Sequence, residues 1–187
     1  MEALHDVVKA GKARYIGASS MFAWQFAKMQ YIAQLHGWTK FVSMQDQYSL
    51  VQRGEEREMF PLLADQGVGS IPWSPLAGGV VARPWGEANT ARGKDSSSTD
   101  FDGRPLWLDS DKPTIDAVER IANAREVSMA TIALAWVLRN PVVDAPIVGV
   151  SKQQHLSDAV AALAVDLTDD EVTALEASYT LREPTWF

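Results

Sequence analysis

Short apolar segments alternate with amphipathic helical segments along this chain, and that order limits the folds it can adopt. Apolar runs predict strands at residues 14–18, 41–45, 68–73 and 146–149, and helical periodicity fills the intervals between the first three. Strands that alternate with helices form parallel sheets joined by right-handed crossovers. The strand segments do not alternate apolar with polar residues, so we expect both faces of the sheet to be covered. The sequence therefore predicts an α/β protein with four parallel strands and flanking helices.

Capping residues mark where several helices begin and end. Gly37 and Gly67 are typical of helix C-termini, and Ser128 is typical of an N-cap. Thr168 and Glu171 have the spacing of a capping box at the start of the last helix. Helices are predicted over residues 22–36, 55–66, 113–125, 129–139, 153–163 and 168–178.

All 187 residues are expected to form one domain, interrupted by a long loop over residues 79–112. Its centre is rich in serine, and loops of this length in compact domains are commonly functional or disordered. We therefore expect this loop to be partly disordered.

Composition excludes several classes of partner and chemistry. The net charge of -7 and the pI of about 4.9 argue against nucleic acid or an acidic membrane surface as the main partner. The chain has no cysteine, which excludes disulfides and thiolate metal sites. Neither a spacing of metal ligands, nor a long apolar run, nor a signal-peptide pattern is present. We expect a cytoplasmic protein without a metal.

Polar or small residues follow the predicted strands, at the place where parallel α/β proteins bind ligands. Ser19 and Ser20 end the first strand, Gln45 ends the second, and Trp73 ends the third. Other interpretations remain open at this point. Trp73 could belong to the core, and Gln45 could lie at a solvated strand end. Lys152 opens a helix, where capping and anion binding use the same geometry.

Four ordered segments resemble the aldo-keto reductase family. Residues 11–20, GKARYIGASS, resemble the segment that carries the family's fifth barrel strand. Residues 42–45, VSMQ, resemble the sixth strand, and residues 71–79, IPWSPLAGG, resemble the seventh. Residues 146–152, PIVGVSK, resemble the eighth strand and the start of its helix. The resemblance implies half of a (β/α)8 TIM barrel, built from strands five to eight.

The resemblance implies that NADPH is bound along these segments. Ser19 and Ser20 match the Ser-Asn pair that holds the nicotinamide carboxamide, with Ser20 in place of the usual asparagine. Gln45 matches a glutamine bonded to the same amide, and Trp73 matches the aromatic residue that stacks on the nicotinamide ring. The residues that match the loop along the pyrophosphate are Ser74, Leu76 and Gly78.

The same resemblance implies a site for the adenosine part of the cofactor. Gly149, Ser151 and Lys152 match the turn that receives the 2′-phosphate. His155 falls where an arginine or glutamine often contacts that phosphate, and Asp158 falls on an acidic position near the adenine.

The resemblance implies reduction of a small carbonyl substrate, but it assigns no catalytic residue to this chain. The family's tyrosine, lysine, aspartate and histidine lie on the first four strands, for which no counterpart is found here. Tyr48 is the only tyrosine predicted near the site. The chain is therefore expected to be the NADPH-binding half of a truncated reductase, inactive alone. The alternative is a non-catalytic half-barrel that binds nucleotide or self-assembles. In either case we expect a homo-oligomer formed through the open barrel face.

Overall fold

The computed structural model describes residues 1–86 and 105–183. Most of the loop predicted to be partly disordered, residues 87–104, lies outside the described residues. Three short strands run parallel in chain order, and they are β1 (Gly17–Ser19), β2 (Ser43–Gln45) and β3 (Gly69–Ser70). The predicted parallel α/β arrangement is thus confirmed, and it is consistent with part of a TIM barrel.

The fourth predicted strand, residues 146–149, is not confirmed. The chain does run beside β3, since Val143 forms an isolated parallel bridge with Ser70. The Ile147 amide then donates to the carbonyl of Pro72 at 2.8 Å. Pro72 and Pro146 have no backbone N–H, so both sides lack donors that a continuous ladder would need. The sheet described here therefore has three strands and one extended neighbouring segment.

Helices connect and cover the strands. They are α1 (Glu2–Lys9), α2 (Ala23–His36), α3 (Met59–Gln66), α4 (Lys112–Ala124), α5 (Met129–Leu138), α6 (Gln153–Ala161) and α7 (Asp169–Glu176). Gly37 ends α2 with φ of 66°, and Ser128 Oγ caps α5 by accepting from the amide of Thr131. The helix predicted over residues 55–66 is divided, because a 3-10 turn at Gly54–Glu56 precedes α3.

The core lies between one face of the sheet and the helices. Helix α5 is its centre, because eight of its ten residues are buried. Phe26, Met44, Leu63 and Ile132 contribute side chains with no exposed surface. Within the part of the chain that is described, no single helix could span a membrane. Two consecutive helical segments among the described residues, Asp109–Ala124 and Met129–Leu138, are together long and apolar enough to do so. They are bent by 106° relative to each other.

The opposite face of the sheet is open among the residues described. In β1, Ala18 is buried against the core, whereas Gly17 and Ser19 on either side of it are exposed. The expectation of cover on both faces is therefore not met by residues 1–86 and 105–183. Helices α1 and α6 have no buried residue.

Candidate functional site

The site begins where β1 meets β2. Ser19 lies opposite Gln45 in the parallel register. The Ser19 hydroxyl donates to the backbone carbonyl of Gln45 at 3.1 Å, and the Ser20 amide donates to the same oxygen at 3.2 Å. The two serines are therefore held by the strand ladder, and not by a loose loop.

Trp73 joins these residues from the end of β3. Its backbone amide donates to the carbonyl of Asp46 at 2.7 Å, which continues the pairing with β2 beyond the strand. Its indole N–H reaches across β2 and donates to Ser20 Oγ at 3.0 Å. The indole is partly buried, so one part of it remains accessible. The structure thus brings together Ser19, Ser20, Gln45 and Trp73, while their role in cofactor binding stays a prediction.

The loop after Trp73 has an unusual backbone. Ser74 and Ala77 have φ of 51° and 50°, although neither is glycine. Gly78 and Gly79 follow with φ of 66° and 96°. Left-handed backbone at a non-glycine residue costs about 1–3 kcal/mol, and such strain is concentrated at functional sites. Leu76 has negative φ and Ala77 has positive φ, and the amides of Ala77 and Gly79 donate to the carbonyls of Ser74 and Leu76 at 2.9 Å and 2.8 Å.

The turn before α6 leaves the start of that helix without a side-chain cap. Lys152 is the N-cap residue, is exposed and has no ion-pair partner among residues 1–86 and 105–183. The Ser151 amide donates to His155 Nδ1 at 3.4 Å, so the imidazole contacts an amide that an anion could otherwise use. Gly149 is exposed, and a side chain there would meet nothing within 4 Å.

One backbone hydrogen bond connects the segment before this turn to the rest of the site. The Ile147 amide donates to Pro72, which directly precedes Trp73. The segment leading to α6 therefore starts beside the end of β3. Within α6, the Asp158 carboxylate accepts from the Gln154 amide at 2.7 Å, so this predicted adenine neighbour already has one partner.

Asp46 is the residue next to the site that the sequence analysis did not single out. Its side chain is fully buried, and neither carboxylate oxygen has a hydrogen-bond partner among the described residues. Burial raises the pKa of Asp46 to about 8, and the charge of Glu55 adds to the shift. Strand alternation was the available signal: Met44 faces the core, so Asp46, two residues later, faces it as well.

Tyr48 is structural. Its ring is buried between Phe60 and Trp136. Its hydroxyl donates to Glu56 at 2.7 Å and accepts from the Asn140 amide at 3.1 Å. Burial, followed by the Glu56 hydrogen bond, raises the pKa of Tyr48 above its usual value. A hydroxyl held in this way is unsuited to give a proton to a substrate.

Parallel strands flanked by helices are consistent with part of a TIM barrel, and the polar side chains gather where the strands end, which is the edge at which such barrels bind ligands. The aldo/keto reductase family matches residues 1–180, and the chain belongs to that family. The membership expected from the four motifs is thereby confirmed. Aldo-keto reductases bind a nicotinamide cofactor and carbonyl substrates.

Fungal relatives share this sequence at substantial identity. A versiconal hemiacetal acetate reductase of Aspergillus parasiticus is 48% identical over 96% of this chain and 52% of its own length. An aldo-keto reductase of Fusarium vanettenii is 45% identical over 97% of this chain and 48% of its own length. An aldo-keto reductase of Alternaria alternata is 42% identical over 98% of this chain and 49% of its own length. The chain spans about half the length of the curated relatives it matches.

Proposed function

We propose that this chain forms the NADPH-binding part of a carbonyl reductase. The observation that carries the proposal is the meeting of Ser19, Ser20, Gln45 and Trp73 at one edge of the sheet, joined by hydrogen bonds across three strand ends. The family is one of oxidoreductases, and the relative from Aspergillus parasiticus is named as a reductase. Both support reduction of a carbonyl group as the activity of the whole protein.

The residues present fit a nicotinamide dinucleotide. An accessible indole beside two hydroxyls suits a flat ring that carries an amide. The loop over residues 74–79 directly follows Trp73, and its strained backbone supports a role in ligand binding, which we assign to the pyrophosphate. When bound, the cofactor supplies a hydride for the carbonyl carbon. This chain's own residues bind and orient it.

The position and charge of Lys152 support a preference for NADPH over NADH. It is an exposed cation without an ion-pair partner in the described part of the chain, placed at an uncapped helix start. The helix dipole and the lysine charge both favour a phosphate there. Gln153 and Gln154 are the first residues of that helix, and we assign their backbone amides as further donors to the phosphate.

Calorimetric titration with NADP+ and NAD+ tests this proposal. We expect the chain to bind NADP+ more tightly than NAD+. Lys152→Met should lower the affinity for NADP+ by about tenfold, which is the effect of losing a charged hydrogen bond. The affinity for NAD+ should change little. Lys40→Met is the matched control, because Lys40 is an exposed lysine outside the site. Failure of the unaltered chain to bind either dinucleotide would overturn the proposal.

Nucleotide binding without catalysis is the second candidate function. It is favoured by the environment of Tyr48, whose hydroxyl is taken up by Glu56 and Asn140. Oxidation of NADPH should therefore be absent when the chain is given a panel of aldehydes, even where NADPH binds. Turnover that survives Tyr48→Phe would show that another residue of the chain donates the proton.

We also propose that the chain associates with a second copy through the open face of its sheet, on which Gly17 and Ser19 are exposed, and that exposed apolar side chains on the helices add to the contact. Helices α1 and α6 lack buried residues. Apolar side chains are exposed on both, with Leu4 and Val7 on α1 and Val160 and Leu163 in and after α6. Contact with a second copy would remove this apolar surface from water.

A further inference from the structure

The segment from residue 7 to residue 45 is basic, although the whole chain is acidic. It contains no aspartate or glutamate, whereas the net charge of the full sequence is -7. Its lysines and arginine are all exposed, and none of them forms an ion pair among the described residues. They are Lys9, Lys12, Arg14, Lys28 and Lys40. The overall charge therefore conceals a local cationic surface.

Helix α2 places one of these cations within an apolar stripe. Trp24, Lys28, Tyr31 and Leu35 follow one another at intervals of three or four residues, so they share one side of the helix. Trp24, Tyr31 and Leu35 are 61%, 66% and 65% exposed, respectively. The buried residues of α2 lie on the opposite side. A helix that packs on a core normally turns a polar side outward, so the stripe indicates a surface for binding.

The other cations meet this stripe at the end of the fold where the strands begin. Arg14 and Lys40 precede β1 and β2, and these parallel strands begin at the same end. Leu35 lies in the last turn of α2, which leads to β2 at that end. The Thr39 amide donates to His5 Nδ1 at 3.2 Å and so holds α1 beside it. We call the stripe, together with the cations of residues 9–14 and 40, the α2 surface.

We propose that the α2 surface docks on a membrane that contains anionic lipid. Indole and phenol rings favour the interface between headgroups and acyl chains, where the ring leaves water and its polar atom stays hydrated. The Lys28 ammonium group reaches anionic headgroups while its methylene chain lies along the apolar stripe. A nucleic acid would also use the cations and could stack on the rings, but it does not cover the aliphatic side chain of Leu35. Acyl chains do.

The acidic remainder of the chain determines how it binds. Outside residues 7–45 the acidic residues outnumber the basic ones, so an anionic membrane repels that part of the surface. The chain therefore approaches with the α2 surface first. Because salt screens the attraction, and because few apolar side chains enter the interface, we expect reversible and salt-sensitive binding.

Sedimentation of the whole chain with vesicles tests the proposal. One set of vesicles is phosphatidylcholine alone, and the other contains about 30% phosphatidylserine. We expect about tenfold stronger binding to the anionic vesicles, with most of the difference lost in about 0.5 M salt. Lys28→Gln should weaken binding to the anionic vesicles by about fivefold, which is the contribution of one cation near such a surface. Lys112→Gln is the matched control, because Lys112 is exposed on α4 and paired with Asp116.

Contact between Trp24 and lipid gives a second readout, which attraction between charges alone would not change. Acyl chains labelled with bromine quench the fluorescence of an indole that enters the interface. The unaltered chain should be quenched, and Trp24→Phe should lose most of the quenching while it keeps most of the binding, because an aromatic ring remains. Trp107→Phe is the matched control and should keep the quenching, because Trp107 packs against the Trp85 ring.

The measurements also distinguish other partners of the same surface. Equal binding to both kinds of vesicle, binding that Lys28→Gln leaves unchanged, or no binding would overturn the proposal. Self-association that Lys28→Gln weakens, in place of vesicle binding, would assign the surface to a second copy. Binding of single-stranded RNA without binding of vesicles would assign it to nucleic acid, and either result would overturn the membrane proposal. NADP+ should bind Lys28→Gln and the unaltered chain equally, since the α2 surface does not include the proposed cofactor residues.

Discussion

Asp46 lies between Gln45, the last residue of β2, and Gln47, and its carboxyl group is surrounded by protein instead of water. Burial and the nearby Glu55 raise the pKa of Asp46 to about 8, and burial raises the pKa of Glu55 to about 7. The folded chain therefore retains protons that the unfolded chain releases near pH 4. Both groups lower the free energy of unfolding as pH rises from about 4 toward 8, because the folded state binds more protons over that interval.

Asp46→Asn should remove much of this pH dependence. The variant is expected to match the unaltered chain near pH 5 and to be more stable at pH 9, since each unit of raised pKa corresponds to about 1.4 kcal/mol. Urea unfolding between pH 5 and 9 measures the effect. Asp65→Asn is the matched control, because Asp65 is exposed. Equal slopes for Asp46→Asn and the unaltered chain would show that Asp46 is charged in the folded state.

Gly79 offers a second prediction for a single residue. Its φ of 96° is unfavourable for other residues, and the Arg83 guanidinium occupies the place of a Cβ atom. Gly79→Ala should lower the free energy of unfolding by about 1–2 kcal/mol and weaken NADP+ binding. Gly54→Ala is the control, because Gly54 has neither a positive φ nor a neighbour within 4 Å of a Cβ. Similar midpoints of thermal unfolding for the two variants would contradict the expected strain.

At the scale of secondary structure, α7 shows how local signals and tertiary contacts combine. Thr168 Oγ accepts from the Glu171 amide at 3.3 Å, and the Glu171 carboxylate accepts from the Thr168 amide at 2.8 Å. The predicted capping box is therefore confirmed. Arg125 after α4 binds the same carboxylate, and this bond lowers the pKa of Glu171 to about 2. The cap thus also joins two helices.

Thr168→Ala should destabilise the protein by about 1 kcal/mol, because the first turn of α7 loses its side-chain acceptor. Thr173→Ala lies on the exposed side of the same helix and should be neutral or slightly stabilising. Chemical denaturation at pH 7 measures both variants. Equal stability of the two would mean that the packing of α7, and not its cap, determines whether the helix forms.

At the scale of the whole molecule, burial is unequal among the helices. The central helix α5 is buried on most sides, whereas α1 and α6 have no buried residue. The apolar side chains exposed on α1 and α6 favour association, since contact with another chain removes them from water.

Leu163→Lys should therefore shift the chain toward the monomer in sedimentation velocity experiments. Leu163 follows α6 and is 72% exposed. Leu35→Lys is the control, because Leu35 is 65% exposed on α2, which follows β1 and lies away from α6. A single monomeric species of the unaltered chain at high concentration would contradict the proposed association.

Much of the fold could be predicted because its signals are local. Gly37, Ser128 and the pair Thr168 and Glu171 mark helix ends through bonds to residues a few positions away, and each was read correctly. The strand predicted over residues 146–149 is not confirmed, because an apolar run does not show whether the neighbouring segment can pair with it. Pro72, distant in sequence, has no amide to offer. Which residues would hold a cofactor remains a prediction.

The sequence by itself determined the order of strands and helices, the family, and the polar residues that end each strand. Periodicity and capping act over a few residues, so they can be read directly from the chain. Only the tertiary structure decided that Trp73 bonds to Ser20, that Asp46 is buried, and that Tyr48 is enclosed by Glu56 and Asn140. Those facts depend on which side chains meet across the sheet, and such contacts join residues that are far apart in sequence.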